Sequence, residues 1–233
     1  MFQEENRLAK AQGYKNQRQK QIKQQMSKKA DFKEYSVIAC GTLSAELNVL
    51  AKEGFLNADK VLYTAPGLHE TPWKFERQLK KQFDNTKKYT RKILAVYGQK
   101  CFVDINDPAR GIDGIIRETG ANARRIKAKN CVDMLADIDE REKIAGGQKV
   151  YWLTPGWLRY WKVIFKDWDQ GKANETFPQH DKAVLLDPVG MFEEYSTHSP
   201  EKVLEFADWM RLNIEPCKIS LDRLKGLLLE GIS

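Results

Sequence analysis

The sequence lacks the apolar runs that membrane proteins and secreted precursors require. It has no stretch of about 18 consecutive apolar residues, and its amino terminus is polar throughout, without the apolar segment of a signal peptide. Its four cysteines are widely scattered over 233 residues, which argues against a disulfide scaffold. We therefore expect a cytoplasmic protein with reduced thiols and no membrane association.

The motifs of several common enzyme sites are also absent. The chain contains no GxxxxGK[ST], no GxGxxG after its first apolar run, no HExxH and no GxSxG. No CxxC pair is present, which argues against an ordinary structural zinc site. Nucleotide, dinucleotide, zinc-protease and serine-hydrolase functions therefore lose their usual sequence support, and whether the protein is an enzyme stays open.

The main part of the chain has little excess charge of either sign. The formal net charge is +7, but residues 1–33, which are rich in Lys and Gln, carry +6 of it. We expect this segment to form a polar, solvated helix or arm, attached to a single α/β domain at residues 34–233. Because the remaining +1 is spread over that domain, the sequence argues against nucleic-acid binding. The oligomeric state stays undetermined.

From Glu34 onward, short apolar runs alternate with amphipathic segments of helical spacing. We predict helices at residues 43–53, 71–87, 109–118, 132–144, 157–168, 201–211 and 220–230. This alternation predicts an open, mostly parallel sheet with helices on both faces, which is a Rossmann-like three-layer architecture. The fourth run contains Arg124, Arg125 and Lys127, so we predict that it is an edge strand. The seven runs are YSVIAC, KVLYTA, KILAVYG, NARRIKA, KVYWLTP, KAVLLDP and NIEPC.

Cysteines stand at the ends of several predicted strands. Cys40 ends the first strand, and Cys101 and Cys131 follow the third and the fourth. Because ligands bind outside the carboxyl ends of parallel strands, we predict that these thiols converge. Cys131 follows Asn130, a good helix cap, so the helix dipole is expected to lower its thiol pKa. The alternative is that each cysteine is an ordinary core residue, which we favour for Cys217.

Polar residues at the same predicted edge are further candidates. His69 suits a proton carrier or a fourth metal ligand, although a histidine that caps a helix is equally ordinary. Asp133 is the second candidate for a catalytic role, and Thr154, Gly156 and Asp187 are candidates for lining a cofactor site. Asp133 and Asp187 could equally cap the helices that follow them.

An aromatic segment follows the fifth predicted strand. Trp157, Tyr160, Trp161 and Trp168 recur there at helical spacing. Such a stripe is typical of a core or of a subunit contact rather than of a cofactor platform.

Five short motifs in order, IACGTL, LHETP, VYGQKC, NCVDML and WLTPGW, resemble the domain-of-unknown-function family 1638 over about Tyr35 to Ile232. The resemblance implies cysteines at the positions of Cys40, Cys101 and Cys131. It also implies an origin in anaerobic bacteria or methanogenic archaea, in the company of corrinoid-dependent methyltransferases. Many relatives place the middle cysteine two residues after the glycine of YG and follow it with glycine, whereas in this chain Gln99 and Lys100 intervene and Phe102 follows.

The leading hypothesis is a metal centre held by three thiolates, in anaerobic one-carbon or corrinoid-linked methyl metabolism, acting on a small-molecule substrate. Soft sulfur ligands favour an iron–sulfur cluster or zinc, and three of them leave one coordination position open. One rival is a non-catalytic module that binds a corrinoid protein or a methyltransferase. The other is a metal-free enzyme with Cys131 as nucleophile and His69 as base.

Overall fold

The computed structural model describes residues 31–90, 92–104 and 106–233 of the chain. The polar helix predicted at residues 1–33 lies almost entirely outside the described residues and stays a prediction. Phe32, near its end, is completely buried, and its ring centroid lies 5.8 Å from that of Phe55. The packed part of the chain therefore already includes residue 32.

The seven predicted strands are present, and every strand pair is parallel, which confirms the α/β prediction. They form two sheets, with the orders β2-β1-β3-β4 and β5-β6-β7, where the sequence predicted one. The basic strand β4 lies at an edge, as predicted. The strand bounds are Tyr35–Cys40 (β1), Lys60–Thr64 (β2), Lys92–Val96 (β3), Ala123–Arg125 (β4), Val150–Leu153 (β5), Lys182–Asp187 (β6) and Ile214–Lys218 (β7).

Helices connect the strands, and two of them, α7 and α8, have no counterpart among the predicted segments. In the described residues no helix combines the length and the apolar character that crossing a membrane requires. The helix bounds are Ser44–Lys52 (α1), Pro72–Thr86 (α2), Ile112–Thr119 (α3), Cys131–Leu135 (α4), Ile138–Ala145 (α5), Pro155–Ile164 (α6), Gln170–Thr176 (α7), Met191–His198 (α8), Glu201–Met210 (α9) and Asp222–Ile232 (α10).

Side-chain caps explain why the helix predicted from Val132 to Ile144 is divided. The Asn130 side chain accepts a hydrogen bond from the Asp133 amide and starts α4. Asp137 starts α5 with a reciprocal capping box, in which its side chain and that of Glu140 accept from each other's backbone amides. Two caps seven residues apart make two short helices, and the first of them begins at Cys131.

Both faces of the four-stranded sheet are covered. In β1, Val37, Ile38 and Ala39 are completely buried, and they belong to two different apolar clusters. One cluster includes side chains of α1 and α10, and the other includes side chains of α2 and α3. A strand buried on both sides reads as a continuous apolar run, which is how YSVIAC appears in the sequence.

The two sheets meet where α6 begins. A Cβ atom added to Gly156 would lie 1.9 Å from the carbonyl oxygen of Thr42, in the turn that follows β1. Only glycine permits this approach between two backbones. The contact brings the residues that follow β5 against the residues that follow β1.

Candidate functional site

Cys40, Cys101 and Cys131 line one small cavity of about 30 Å³. Most of its wall is apolar, and His69 and Trp157 also line it. This volume accommodates about one or two water molecules. The structure therefore brings together the three cysteines and the histidine that the sequence singled out.

Cys40 is placed by the end of β1 and by the tight turn Gly41–Leu43. The turn packs closely on the neighbouring strand, since a Cβ atom on Gly41 would lie 2.8 Å from the carbonyl oxygen of Thr64. The hydroxyl of Thr42 donates a hydrogen bond to the Cys40 sulfur, with an Oγ1–Sγ distance of 3.1 Å.

Cys101 ends a short 3-10 turn that also contains Gln99 and Lys100. The backbone amides of Gln99 and Lys100 donate hydrogen bonds of 2.8 Å to the carbonyl oxygens of Ala128 and Lys129. These two bonds fasten the turn to the segment that leads into α4. Gln99 and Lys100 thus hold Cys101 beside the segment that carries Cys131.

Gly98 has two roles at this turn. Its backbone amide donates to the Cys101 sulfur, with an N–Sγ distance of 3.2 Å. A Cβ atom on Gly98 would lie 2.4 Å from the Cα atom of Asn130, so a side chain cannot be accommodated there. This close backbone contact is a further link between the two cysteine segments.

Cys131 is the first residue of α4, and the side chain of Trp157 opposes the rise that burial causes in its thiol pKa. The Trp157 ring also packs against His69, with ring centroids 5.5 Å apart. Sequence reasoning assigned Trp157 to a core or a subunit contact and missed its position beside the thiol. A tryptophan that lies beside a cavity and one that lies in a core have the same spacing along a helix.

Two of the three sulfurs accept hydrogen bonds, Cys40 from the Thr42 hydroxyl and Cys101 from the Gly98 backbone amide. The side chain of Trp157 acts in the same direction on Cys131, because it lowers the pKa of that thiol. Donors directed at sulfur stabilise the thiolate more than the neutral thiol. Hydrogen bonds to the ligand sulfurs are also one means by which proteins tune metal–thiolate centres.

Burial nevertheless keeps the thiols protonated at neutral pH. It raises the pKa of Cys131 to about 12, while the Trp157 side chain opposes the shift. The pKa of Cys101 is raised by burial and then by the nearby charges of Cys131 and Cys40, and the pKa of Cys40 is raised mainly by burial. The predicted lowering of the Cys131 pKa is therefore wrong, because desolvation outweighs the five-residue helix.

The donor set suits a soft metal ion chemically, because a cation would offset both the burial and the mutual repulsion of three thiolates. Within the described ranges, no group of three or more His, Cys, Asp or Glu residues is arranged to hold a metal ion as it stands. Binding would thus require the sulfurs to draw together. The cavity volume fits a single ion better than a cubane cluster.

The two predicted aspartates are engaged in hydrogen bonds. The Asp133 carboxylate accepts from the Lys129 amide at 2.8 Å and pairs with Arg223 at 2.9 Å, and Asp133 is not among the residues that line the cavity. The Asp187 carboxylate accepts from three backbone amides at the start of α8, those of Val189, Met191 and Phe192. Both aspartates stabilise turns in this structure.

The remaining candidates lie beside the cavity or away from it. Thr154 is completely buried at the N-cap of α6, Gly156 packs on the turn that follows β1, and neither lines the cavity. Cys217 lies on β7, and burial alone raises its pKa. The three clustered thiols, by contrast, interact with one another.

The described structure also contains a residue that the sequence did not identify. Glu46 in α1 is completely buried, and burial raises its pKa to about 8. Electrostatic interactions connect it with Cys40 and Cys131. The only available signal in the sequence was the position of this acidic residue, on the buried side of the amphipathic helix that follows the turn after Cys40.

One family model, that of a protein of unknown function (DUF1638), matches residues 63–228 of this chain, which is well over half of it. The matched range includes Cys101 and Cys131 and begins after Cys40. Neither the curated proteins nor the solved structures yield a match.

Proposed function

We propose that this chain, which belongs to the DUF1638 family of proteins of unknown function, binds a soft metal ion through Cys40, Cys101 and Cys131. The observation that carries the proposal is the convergence of three sulfurs on one cavity, two of them with a hydrogen-bond donor and all three beside the Trp157 side chain that lines the same cavity. Three thiolate ligands are typical of zinc and of iron–sulfur centres. The small cavity favours a mononuclear ion such as zinc over a cluster.

A bound ion would explain a conflict in the site. Neutral thiols have little need for directed donors, whereas buried thiolates without a cation repel one another. The raised pKa values also disfavour the rival in which Cys131 acts as a metal-free nucleophile, because only the thiolate attacks. A divalent cation would displace the thiol protons and make the hydrogen bonds from Thr42 and Gly98 favourable.

The chain's own residues would then have distinct roles. Cys40, Cys101 and Cys131 hold the ion, and the hydrogen bonds from Thr42 and Gly98 fix two of the sulfur positions. His69 and Trp157 face the same cavity, so the fourth coordination position would be filled by His69 or by a substrate that enters beside it. When bound, zinc would keep a substrate thiol deprotonated.

The wider setting belongs to the same proposal. The resemblance to family members beside corrinoid-dependent methyltransferases supports a role in anaerobic one-carbon metabolism, with a corrinoid protein or a methyltransferase as partner. Four free cysteines suit a reducing cytoplasm, which is the compartment we propose.

Metal analysis after strictly anaerobic purification tests the centre. We expect about one equivalent of zinc or a comparable soft ion, lost on Cys40→Ser, Cys101→Ser or Cys131→Ser. Cys217→Ser is the matched control, because it removes a thiol that does not line the cavity, and it should retain the metal. Replacing zinc with cobalt would show thiolate-to-metal charge-transfer bands that disappear in the same three variants.

Two results would contradict the proposal. Protein that remains metal-free under anaerobic preparation and does not take up added zinc would exclude a metal centre. Equal loss of metal in Cys217→Ser would place the binding site elsewhere. Stoichiometric iron and sulfide in place of zinc would retain the three-thiolate ligand set and replace the mononuclear ion with a cluster.

A further inference from the structure

The most unusual polar atoms of the described residues lie next to the thiol cavity and take no part in it. Both carboxylate oxygens of Glu46 and the hydroxyl oxygen of Thr154 are buried without a hydrogen-bond partner in this part of the chain. Both side chains are completely buried. Buried polar groups in proteins are nearly always hydrogen-bonded, so three such oxygens in two residues require an explanation.

Glu46 and Thr154 belong to two segments that are in contact. Thr154 follows β5 and precedes Gly156, whose backbone packs against Thr42. Glu46 lies in the first turn of α1, four residues after Thr42. Both residues therefore stand at the junction of the two sheets, next to the cavity that Cys40 lines.

Charged and titratable groups surround Glu46 from both sheets without neutralising it. The carboxylate of Asp187 raises the pKa of Glu46, and the guanidinium of Arg159 lowers it. Asp187 is already bound to backbone amides, and Arg159 donates to the Tyr195 hydroxyl. Toward the first sheet, Glu46 interacts electrostatically with Cys40, Cys131 and Tyr63.

The fold itself gives no reason for a carboxyl group at this position. A leucine or a glutamine at residue 46 would fill the same space with a smaller desolvation cost. Residues that reduce stability in this way are typical of functional sites. A ligand that donates hydrogen bonds would remove the cost at Glu46 and at Thr154 together.

We propose that Glu46 and Thr154 form a binding subsite for a small cationic group that donates hydrogen bonds, an ammonium ion or a protonated primary amine. Binding of the cation would displace the proton of Glu46, and the resulting carboxylate accepts such bonds at both oxygens, while the threonine hydroxyl accepts one more. Magnesium and calcium fit less well, because they need about six oxygen ligands. The subsite goes beyond the metal centre and does not depend on it.

Thermal unfolding in matched salts tests the subsite, with a chelator present to keep the thiols metal-free. Ammonium chloride should raise the melting temperature above that in potassium chloride by about 3 °C. Tetramethylammonium chloride should give no such rise, because its cation has no N–H group. The same comparison in Cys131→Ser should give the same difference, which separates this subsite from the three-thiol centre.

Substitutions test whether Glu46 and Thr154 form the subsite. Glu46→Gln removes the charge with little change in shape, and Thr154→Val removes the hydroxyl, so each should abolish the difference between ammonium and potassium. Glu53→Gln, at the exposed end of the same helix, is the matched control and should preserve it. Equal melting temperatures of the wild-type protein in the two salts would overturn the proposal and leave a bridging water as the occupant. A difference that survives in Glu46→Gln and Thr154→Val would also overturn it.

Discussion

The two sheets use the same edge in different ways. After β1 and β3 of the four-stranded sheet, Cys40 and Cys101 direct their sulfurs into a cavity. After β5 and β6 of the three-stranded sheet, Thr154 and Asp187 are buried, and the Asp187 carboxylate is occupied by backbone amides. The second edge serves mainly to pack against the first.

This difference limits what the position of a residue after a parallel strand can establish. The rule that ligands bind at the carboxyl edge predicts where a site lies. It does not predict whether a side chain there faces a cavity or closes a turn. Cys131 and Asp133 show this, since they stand two residues apart and only the cysteine lines the cavity. Four predictions follow from this comparison, in order of expected effect.

The largest expected effect concerns Glu46, whose carboxyl group is buried at the junction of the two sheets. Its pKa rises on folding from 4.5 to about 8, so its contribution to stability is present below pH 4.5 and is lost as the pH rises toward 8. Between about pH 5 and pH 8, the wild-type protein should lose about 3 to 4 kcal/mol relative to Glu46→Gln. Urea unfolding at the two pH values measures this difference. A parallel change in both proteins would show that Glu46 is not desolvated.

The contact between the two edges should tolerate no side chain at Gly156. Gly156→Ala places a methyl group 1.9 Å from the Thr42 carbonyl oxygen and should cost about 3 kcal/mol of stability or more. Gly111→Ala is the control, because an added Cβ there has no atom within 4 Å, and its cost should stay below about 1 kcal/mol. Denaturant unfolding measures both. Similar losses in the two variants would mean that the contact can relax.

The third prediction concerns Trp157, which lines the thiol cavity, whereas Trp161 in the same helix does not. Trp157→Phe keeps an aromatic ring and removes the indole N–H of the side chain that lowers the Cys131 thiol pKa, so metal affinity should fall about 10- to 100-fold. Competition with a chromophoric chelator measures the affinity. Trp161→Phe, in the same helix and stacked on Phe206, is the control and should retain affinity. An equal loss in both variants would indicate a packing effect.

The smallest effect concerns the hydroxyl donor to Cys40. Thr42→Val keeps the shape and removes one hydrogen bond of 3.1 Å, which corresponds to about 1 kcal/mol or about a five-fold loss of metal affinity. Thr42→Ser should keep the affinity near that of the wild-type protein, because it retains the hydroxyl. Equal affinity of the valine and serine variants would show that the bond does not stabilise the thiolate.

Much of the fold could be predicted from local sequence patterns. Apolar runs such as VIA in β1 and the cap at Asn130 follow from short-range physics, and the structure confirms the parallel strands and the edge position of β4. The division into two sheets and the helices α7 and α8 were not predicted. They depend on packing between distant segments, which hydrophobic periodicity does not record.

The candidate site, like the fold, could be predicted only in part from the sequence. The sequence singled out Cys40, Cys101, Cys131 and His69, and the structure places all four around one cavity. The roles of Thr42, Gly98 and Trp157 were missed because each acts on its sulfur through a contact that ordinary spacing rules do not identify. The direction of the Cys131 pKa shift was wrong because burial was not known.

By itself, the sequence determined which residues stand at the ends of the strands, because turn signals and apolar runs act over a few neighbouring positions. Only the tertiary structure decided which of them share a cavity and which close turns. It also decided that Glu46 is buried beside the thiols, with no hydrogen-bond partner among the described residues. Burial and the neighbourhood of charges arise from segments far apart in the chain, and these two quantities set the chemistry of the site.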